Sequence, residues 1–182
     1  FYDFIIKYDH EINDNNNVEA TAYYSKDKFS ITSDSLYSYS NQLATLKWNH
    51  TFSKKSKGSL ILNNSQYQFN IGFEANADKN FDLNYKINET LLKLKMNTII
   101  NDKHKLNYGI SSKLYSLNPG SKVPLGESSI INPIIIPKEQ ALESAIFISD
   151  NYKVNKKLSL SIGLRYSFYA SLGKTTERIY EA

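Results

Sequence analysis

The stretch that decides the fold is LSLSIGLRYSF, residues 158–168, in which apolar and polar side chains alternate without a break. One face of this segment carries Leu160, Ile162, Leu164, Tyr166 and Phe168. The other face carries Ser159, Ser161, Gly163, Arg165 and Ser167. Because successive side chains of an extended chain point to opposite faces, this period of two predicts a β-strand with one apolar face.

The same alternation recurs along the chain. It is present in residues 2–12, 18–24, 44–52, 92–100 and 106–114, and less regularly in 145–154. One further segment changes phase, because Leu60 and Leu62 are followed by Tyr67 and Phe73. A β-bulge near 64–66 would return all four side chains to one face. We therefore predict about eight strands and almost no helix.

The connections between these segments alternate in length. Short turns are predicted at 13–17, 54–58, 101–104 and 155–157, and longer loops at about 26–41, 74–88, 116–141 and beyond 171. All four prolines fall within 116–141, which leaves the predicted strands free of proline. Tight turns on one side and long loops on the other are typical of outer-membrane β-barrels. A soluble β-sandwich or lipocalin-like barrel does not explain this alternation.

Composition narrows the chemistry that the chain can perform. It has 182 residues, no cysteine, a negative mean hydropathy and a net charge of +4. Without cysteine, disulfides, thiolate metal sites and a thiol nucleophile are excluded, and no apolar run is long enough for a membrane-spanning helix. His10, His50 and His104 are far apart and have no HExxH spacing. We expect no catalytic residue, no metal site and no cofactor, and no nucleic-acid partner because the aromatic and basic faces are opposite.

Residues 141–173, ALESAIFISDNYKVNKKLSLSIGLRYSFYASLG, resemble a recurrent segment of TonB-dependent receptors. In that segment, a strand ending in an acidic-Asn-Tyr stretch turns tightly into a strand that reads GLRYS. The matching residues here are Glu143, Asp150, Asn151, Tyr152 and the run from Gly163 to Ser167. Residues 102–120, DKHKLNYGISSKLYSLNPG, are similar to the hairpin that precedes this segment in Bacteroidota members.

The resemblance implies an all-β fold, an antiparallel transmembrane β-barrel segment of about eight strands within a barrel of about 22. Residues 1–182 would be part of one barrel domain that begins at an even-numbered strand, with the plug, the signal peptide and the C-terminal strands not included. The implied protein is not an enzyme but an outer-membrane receptor that imports a scarce nutrient of the siderophore, glycan or peptide class. Its implied partners are outer-membrane lipid, the TonB system acting through a plug domain and, as an optional addition, a surface lipoprotein.

Two alternatives share the local pattern. One is a small autonomous eight-stranded outer-membrane barrel with a structural or adhesion role, and the other is part of a large secretion pore. In a small closed barrel, residues 1–13 would pair with residues 158–170, whereas we expect these two strands not to pair.

The candidate site residues follow from the alternation and from the predicted loops. We expect Lys93, Lys95, Lys113 and Arg165, together with Lys47, to face the barrel lumen. There they would pair with acidic residues of a plug or face water in the channel, and a basic path for an anionic ligand is the functional alternative. Tyr37 and Tyr39 are the ligand candidates of an extracellular loop. The lipid-facing candidates are Leu160, Ile162, Leu164, Tyr166 and Phe168.

Overall fold

The computed structural model describes residues 1–173, and all regular structure in this part of the chain is β-strand. The strands are β1 Tyr2–Asn13, β2 Asn16–Thr32, β3 Ser35–Ser53, β4 Ser56–Phe73, β5 Phe81–Ile99, β6 His104–Pro124, β7 Ile134–Ile135, β8 Glu139–Lys153 and β9 Ser159–Ser171. None of the described residues belongs to a helix long and apolar enough to cross a bilayer.

The strands pair in chain order to form one antiparallel sheet. The order is β1-β2-β3-β4-β5-β6-β8-β9, and the two-residue β7 pairs with β6. The prediction of an all-β fold with about eight strands is confirmed, because eight of the nine strands form this continuous path. In the described part of the chain, β1 and β9 are the two ends of the path and do not pair with each other, as expected.

The turns alternate between two edges of the sheet, which we call the first and second rims. The first rim contains the turns at 14–15, 54–55, 100–103 and 154–158. Three of these turns accept a backbone hydrogen bond from the end of a neighbouring strand: Thr51 N to Asn15 O (2.8 Å), Ile99 N to Lys55 O (2.7 Å) and Lys153 N to Lys103 O (2.7 Å). The second rim contains the connections 33–34, 74–80 and 125–138. The predicted grouping of the short turns at one rim is therefore confirmed.

The strands are longer than the sequence pattern predicted. β2 and β3 continue to a turn at 33–34, β5 begins at Phe81, and β6 extends to Pro124. The predicted loops at 26–41, 74–88 and 116–141 are thus wrong over much of their length, and Tyr37 and Tyr39 lie in β3 rather than in a loop. The predicted loop beyond 171 lies almost entirely outside the described residues.

Two of the four prolines lie in a strand, which contradicts the expectation of proline-free strands. Pro119 precedes Gly120, whose φ is 147°, at the point where the pairing of β6 with β5 shifts between Asn84 and Lys86. Pro124 is the last residue of β6. Proline is tolerated at a bulge or a strand end because no regular ladder bond is lost there.

The predicted bulge in β4 is also wrong. β4 pairs with β5 without any shift, and its pairing with β3 is continuous from Lys57 to Phe73. Alternation therefore proceeds unchanged through residues 64–66, and Tyr67 and Phe73 lie on the opposite face from Leu60.

Because directly paired residues lie on the same face, each face can be followed from strand to strand across the sheet. One row consists of Leu46, Leu62, Leu92, Ser112, Ser144 and Phe168, and we call its side the Leu160 face. The neighbouring row consists of Lys47, Ile61, Lys93, Ser111, Ala145 and Ser167, and we call its side the Arg165 face.

The sheet has no hydrophobic core of its own. Among the described residues, the only buried hydrophobic side chains are Ala141 and Ala145. Large aliphatic side chains of the Leu160 face are exposed, with Ile110 at 55%, Ile146 at 59% and Leu164 at 79%. A sheet of this kind needs an apolar environment outside the chain to cover these residues.

The uninterrupted register of β4 can be tested with engineered cysteines, since the chain has none. Ser38 is directly opposite Asn70, and directly opposed Cα atoms are about 4.5–5.5 Å apart. We expect the pair Ser38→Cys and Asn70→Cys to form a disulfide, detected as a linked peptide by mass spectrometry. The matched pair Ser38→Cys and Ile71→Cys should stay reduced, because Ile71 points to the other face. The opposite result would show that β4 contains the bulge.

Candidate functional site

An apolar band occupies the part of the Leu160 face nearest the first rim. It extends from Ala44 to Phe52 in β3, from Leu106 to Leu114 in β6 and from Leu160 to Phe168 in β9. Each of these stretches is about nine residues long, close to the 9–11 that a tilted strand needs to cross a bilayer. The members of the band in the middle strands include Leu60, Leu62, Leu92, Leu94, Ile110 and Ile146.

The two faces exchange polarity towards the second rim. There the Leu160 face becomes polar, with Ser38, Ser40, Gln68, Asn70, Asn84 and Asn88. The Arg165 face becomes aromatic, and we define the aromatic patch as Phe29, Tyr37, Tyr39, Tyr67, Phe69, Phe73, Phe81 and Tyr85. The exchange occurs within single strands, at Asn63 to Tyr67 in β4, without any change of register.

The rings of the aromatic patch contact one another across strands. Phe29 and Tyr37 stack with centroids 5.2 Å apart, and Tyr37 is 6.5 Å from Phe69. The Tyr39 hydroxyl donates a hydrogen bond of 2.8 Å to the Asp27 carboxylate, which raises the pKa of that phenol. The patch is thus a continuous surface of ring faces and hydroxyl groups with few charges.

A second group of contacts in the aromatic patch lies near the turn 74–80. Phe73 and Phe81 stack with centroids 5.2 Å apart, and the Lys122 ammonium lies 4.0 Å from the centre of the Phe81 ring. A cation at this distance from an aromatic ring is electrostatically favourable.

The Arg165 face carries most of the charged side chains nearer the first rim. Lys47 Nζ is 2.8 Å from Glu19 Oε1, Lys113 Nζ is 3.4 Å from Glu89 Oε2, and Arg165 Nη2 is 3.6 Å from Glu143 Oε1. Side chains in these pairs are about one-third to one-half exposed, and such pairs contribute roughly 0–1 kcal/mol to stability.

Lys93 and Lys95 differ from Lys47, Lys113 and Arg165. Within residues 1–173, neither has a carboxylate within 4.0 Å. Lys93 instead lies over the Phe147 ring, with Nζ 5.3 Å from the ring centre. Among the described residues, the predicted lumen-facing set therefore divides into Lys113 and Arg165, which pair with carboxylates, and Lys93 and Lys95, which do not.

The distribution of polarity and the sheet topology are those of a barrel wall, and comparison with known proteins agrees. Residues 1–178 match the family model described as TonB dependent receptor-like, beta-barrel. This chain belongs to that family. The family consists of outer-membrane receptors and transporters. No curated protein sequence matches the chain.

Two solved structures share the fold of this receptor barrel segment. BauA, the ferric preacinetobactin receptor from Acinetobacter baumannii, superimposes with a TM-score of 0.68 and 12% identity, covering 96% of this chain and 35% of BauA. FpvA from P. aeruginosa, solved with a heterologous pyoverdine and iron, gives a TM-score of 0.54 and 12% identity, covering 96% of this chain and 34% of FpvA. The chain thus spans about a third of each receptor.

The three histidines of the receptor segment are not brought together. All lie towards the first rim: His50 Nδ1 is 2.8 Å from Asn16 Oδ1, and His104 Nδ1 is 2.5 Å from Asp150 Oδ2. In the described part of the chain, no group of three or more potential metal-ligating side chains occurs.

Sequence reasoning missed the aromatic patch as a unit. It identified Tyr37 and Tyr39 but assigned them to a loop, and it placed Tyr67 and Phe73 on the wrong face. The phase change between Leu62 and Tyr67 was the available signal, because without a bulge it predicts an exchange of polarity between the faces.

Gly109 shapes the surroundings of Lys93. A Cβ atom at this position would overlap the Leu94 carbonyl oxygen and lie 2.7 Å from Cζ of Phe147. The missing side chain therefore allows the Phe147 ring to lie against β6, where it contacts Lys93.

We expect Gly109→Ala to destabilise the folded receptor by about 1–3 kcal/mol, because an extra methyl group forces the strands or the ring to move. Urea unfolding of the complete receptor in detergent would measure the change. Gly72→Ala is the matched control, since its Cβ would be 3.4 Å from Asp82 Oδ1, an ordinary contact. Equal stability of the two variants would contradict this account of Gly109.

Proposed function

We propose that this chain forms part of the wall of an outer-membrane, TonB-dependent receptor that imports a scarce nutrient. The observation that carries the proposal is the exchange of polarity along the strands. An apolar exterior over about nine residues suits lipid, and an aromatic interior beyond it suits a ligand.

The sheet can be oriented from its two faces. In this proposal the apolar band contacts lipid, including the residues Leu160, Ile162, Leu164, Tyr166 and Phe168. The Arg165 face lines the lumen, with Lys93, Lys95, Lys113 and Arg165. The first rim, with its tight turns, is periplasmic, and the second rim is extracellular.

The length of the strands supports this placement. β3 and β5 each contain 19 residues. At about 3.3 Å per residue and a tilt near 45°, such a strand rises about 43 Å, whereas the hydrocarbon core is about 30 Å thick. The excess projects beyond the bilayer and carries the aromatic patch, which would therefore line an extracellular vestibule.

The aromatic patch is the proposed ligand surface. Tyr37 and Tyr39 present ring faces and hydroxyl groups from β3, and Phe69 extends the surface onto β4. Such groups bind the flat faces of aromatic, sugar or peptide groups and give orientation through hydrogen bonds. The ligand class remains among siderophores, glycans and peptides, and the siderophores named for BauA and FpvA favour testing ferric complexes first.

Lys93 and Lys95 have a different proposed role. They lie at the level of the apolar band, where a plug domain would fill the lumen of a receptor of this type. We propose that they pair with carboxylates of that plug, through which the TonB system would act. A basic path for an anionic ligand is the second candidate, favoured by the absence of acidic partners for both lysines in the described chain.

The alternatives are less well supported. A small autonomous barrel requires β1 and β9 to pair, and the described strands do not. A secretion pore shares the wall architecture, but the family match favours a receptor.

The proposed orientation predicts that an arginine substitution in β9 changes the free energy of unfolding by different amounts on the two faces. Leu164→Arg places a charge in lipid, and we expect a destabilisation of about 2–4 kcal/mol. Ser161→Arg lies on the lumen side and should change stability by less than about 1 kcal/mol. Folding of the complete receptor into lipid vesicles, followed by urea titration, measures both. If Ser161→Arg were the more harmful change, the two faces would be reversed.

Import can be tested in a strain that lacks the complete receptor and is complemented with it. Growth would be measured on a panel of ferric siderophores, oligosaccharides and peptides as limiting nutrients, with and without TonB. We expect growth on at least one nutrient to need both proteins. Tyr39→Ala with Phe69→Ala should raise the required concentration about tenfold, since each ring contributes roughly 0.5–1.5 kcal/mol.

The matched control is Ser40→Ala with Gln68→Ala, at neighbouring positions on the polar exterior, and it should grow like the wild type. Equal defects in both variants would contradict the ligand surface, and growth that never depends on the receptor would contradict import.

A further inference from the structure

Three lysines lie on the Leu160 face beyond the apolar band, separated from it by the row that contains Gln42, Gln66 and Asn88. Lys26 and Lys86 belong to one row of paired residues, which runs Lys26, Ser40, Gln68 and Lys86. Lys28 belongs to the next row towards the second rim, which runs Lys28, Ser38, Asn70 and Asn84. We call Lys26, Lys28 and Lys86 the lysine belt.

The position of the lysine belt is sharply defined. Within the described strands, the apolar band itself contains no lysine or arginine, so the belt marks the first cations of this face above the band. No carboxylate lies within 4.0 Å of any of the three in the described chain. Their charges are therefore available to a partner outside the sheet.

Two of the three belt lysines, Lys26 and Lys28, line a shallow groove of about 410 Å³, whose lining also includes Leu36, Gly72, Leu83 and Leu125. Lys26, Lys28, Ser38, Asn70 and Asn84 line its side towards the apolar band. Asp82 and Glu74 line it closer to the second rim. The cations are thus nearest the lipid, and the carboxylates are farther away.

We propose that the lysine belt binds the phosphate groups of glycolipid headgroups in the outer leaflet. In the orientation proposed above, on which this inference rests, the belt lies where hydrocarbon gives way to headgroups. Lysine stems can pack along the apolar edge while the ammonium groups reach the phosphates. The amide and hydroxyl groups of the two rows can hydrogen-bond to the sugars. A ligand in the lumen or a plug would meet the opposite face, so neither explains these lysines.

The test uses the complete receptor in neutral detergent and native mass spectrometry. The probes are bisphosphorylated lipid A and the same glycolipid with both phosphates removed. We expect the wild type to bind the phosphorylated form at least about tenfold more tightly. Each lysine near an anionic surface contributes about fivefold. The variant Lys26→Gln, Lys28→Gln, Lys86→Gln should lose this preference while its binding of the dephosphorylated form is unchanged.

The matched control is Lys54→Gln, Lys55→Gln, Lys156→Gln, which removes the same charge from turns of the first rim. It should retain the wild-type preference, and an equal loss in this control would overturn the proposal by showing a general charge effect. Displacement of lipid A by millimolar inorganic phosphate would also overturn it, because the site would then be one for free anions. Nutrient import by the triple belt variant should be unchanged, which separates failure of this inference from failure of the proposed function.

Discussion

The continuous register between neighbouring strands through the middle of the sheet is the constraint on which the rest of this structure depends. Because directly paired residues share a face, the ladder transmits the sidedness of each strand to the next across eight strands. If the pairing of β4 shifted by one residue, the side chains beyond the shift would point to the opposite face relative to those of the neighbouring strand. The continuous pairing of β4 with β3 and β5 therefore fixes both the apolar band and the aromatic patch.

The sheet buries almost none of its own apolar side chains. Two small residues, Ala141 and Ala145, are its only buried apolar side chains in the described chain. The exposed apolar side chains must then be covered by groups outside this sheet, and the orientation proposed above assigns lipid to the Leu160 face and other protein to the Arg165 face. Backbone hydrogen bonds hold the strands together. The surroundings of each face determine whether apolar or polar side chains are favoured at a given position along the strands. The exchange of polarity along each strand follows from that requirement.

The charged side chains are also distributed differently on the two faces. On the Arg165 face of the described strands, Lys47, Lys113 and Arg165 pair with carboxylates at half-exposed positions, where an ion pair adds little stability. Lys93 and Lys95 have no carboxylate partner among the described residues, and the arrangement around Gly109 and Phe147 keeps Lys93 against a ring. On the opposite face of the described strands, the lysines lie beyond the apolar band. In the described chain, both groups of lysines lack a carboxylate partner, and the proposals above assign them partners outside the sheet.

The sequence by itself determined the strands, the apolar face of residues 158–168, the grouping of the tight turns and the family, because a period of two is a local property of an extended chain. Only the tertiary structure decided the face of Tyr67 and Phe73, the length of β2 and β3, and which lysines are paired. The physical reason is that phase and pairing depend on neighbouring strands. A run such as Leu62 to Tyr67 is compatible with a bulge or with two faces of changing polarity, and only the hydrogen-bond ladder on both sides of β4 distinguishes them.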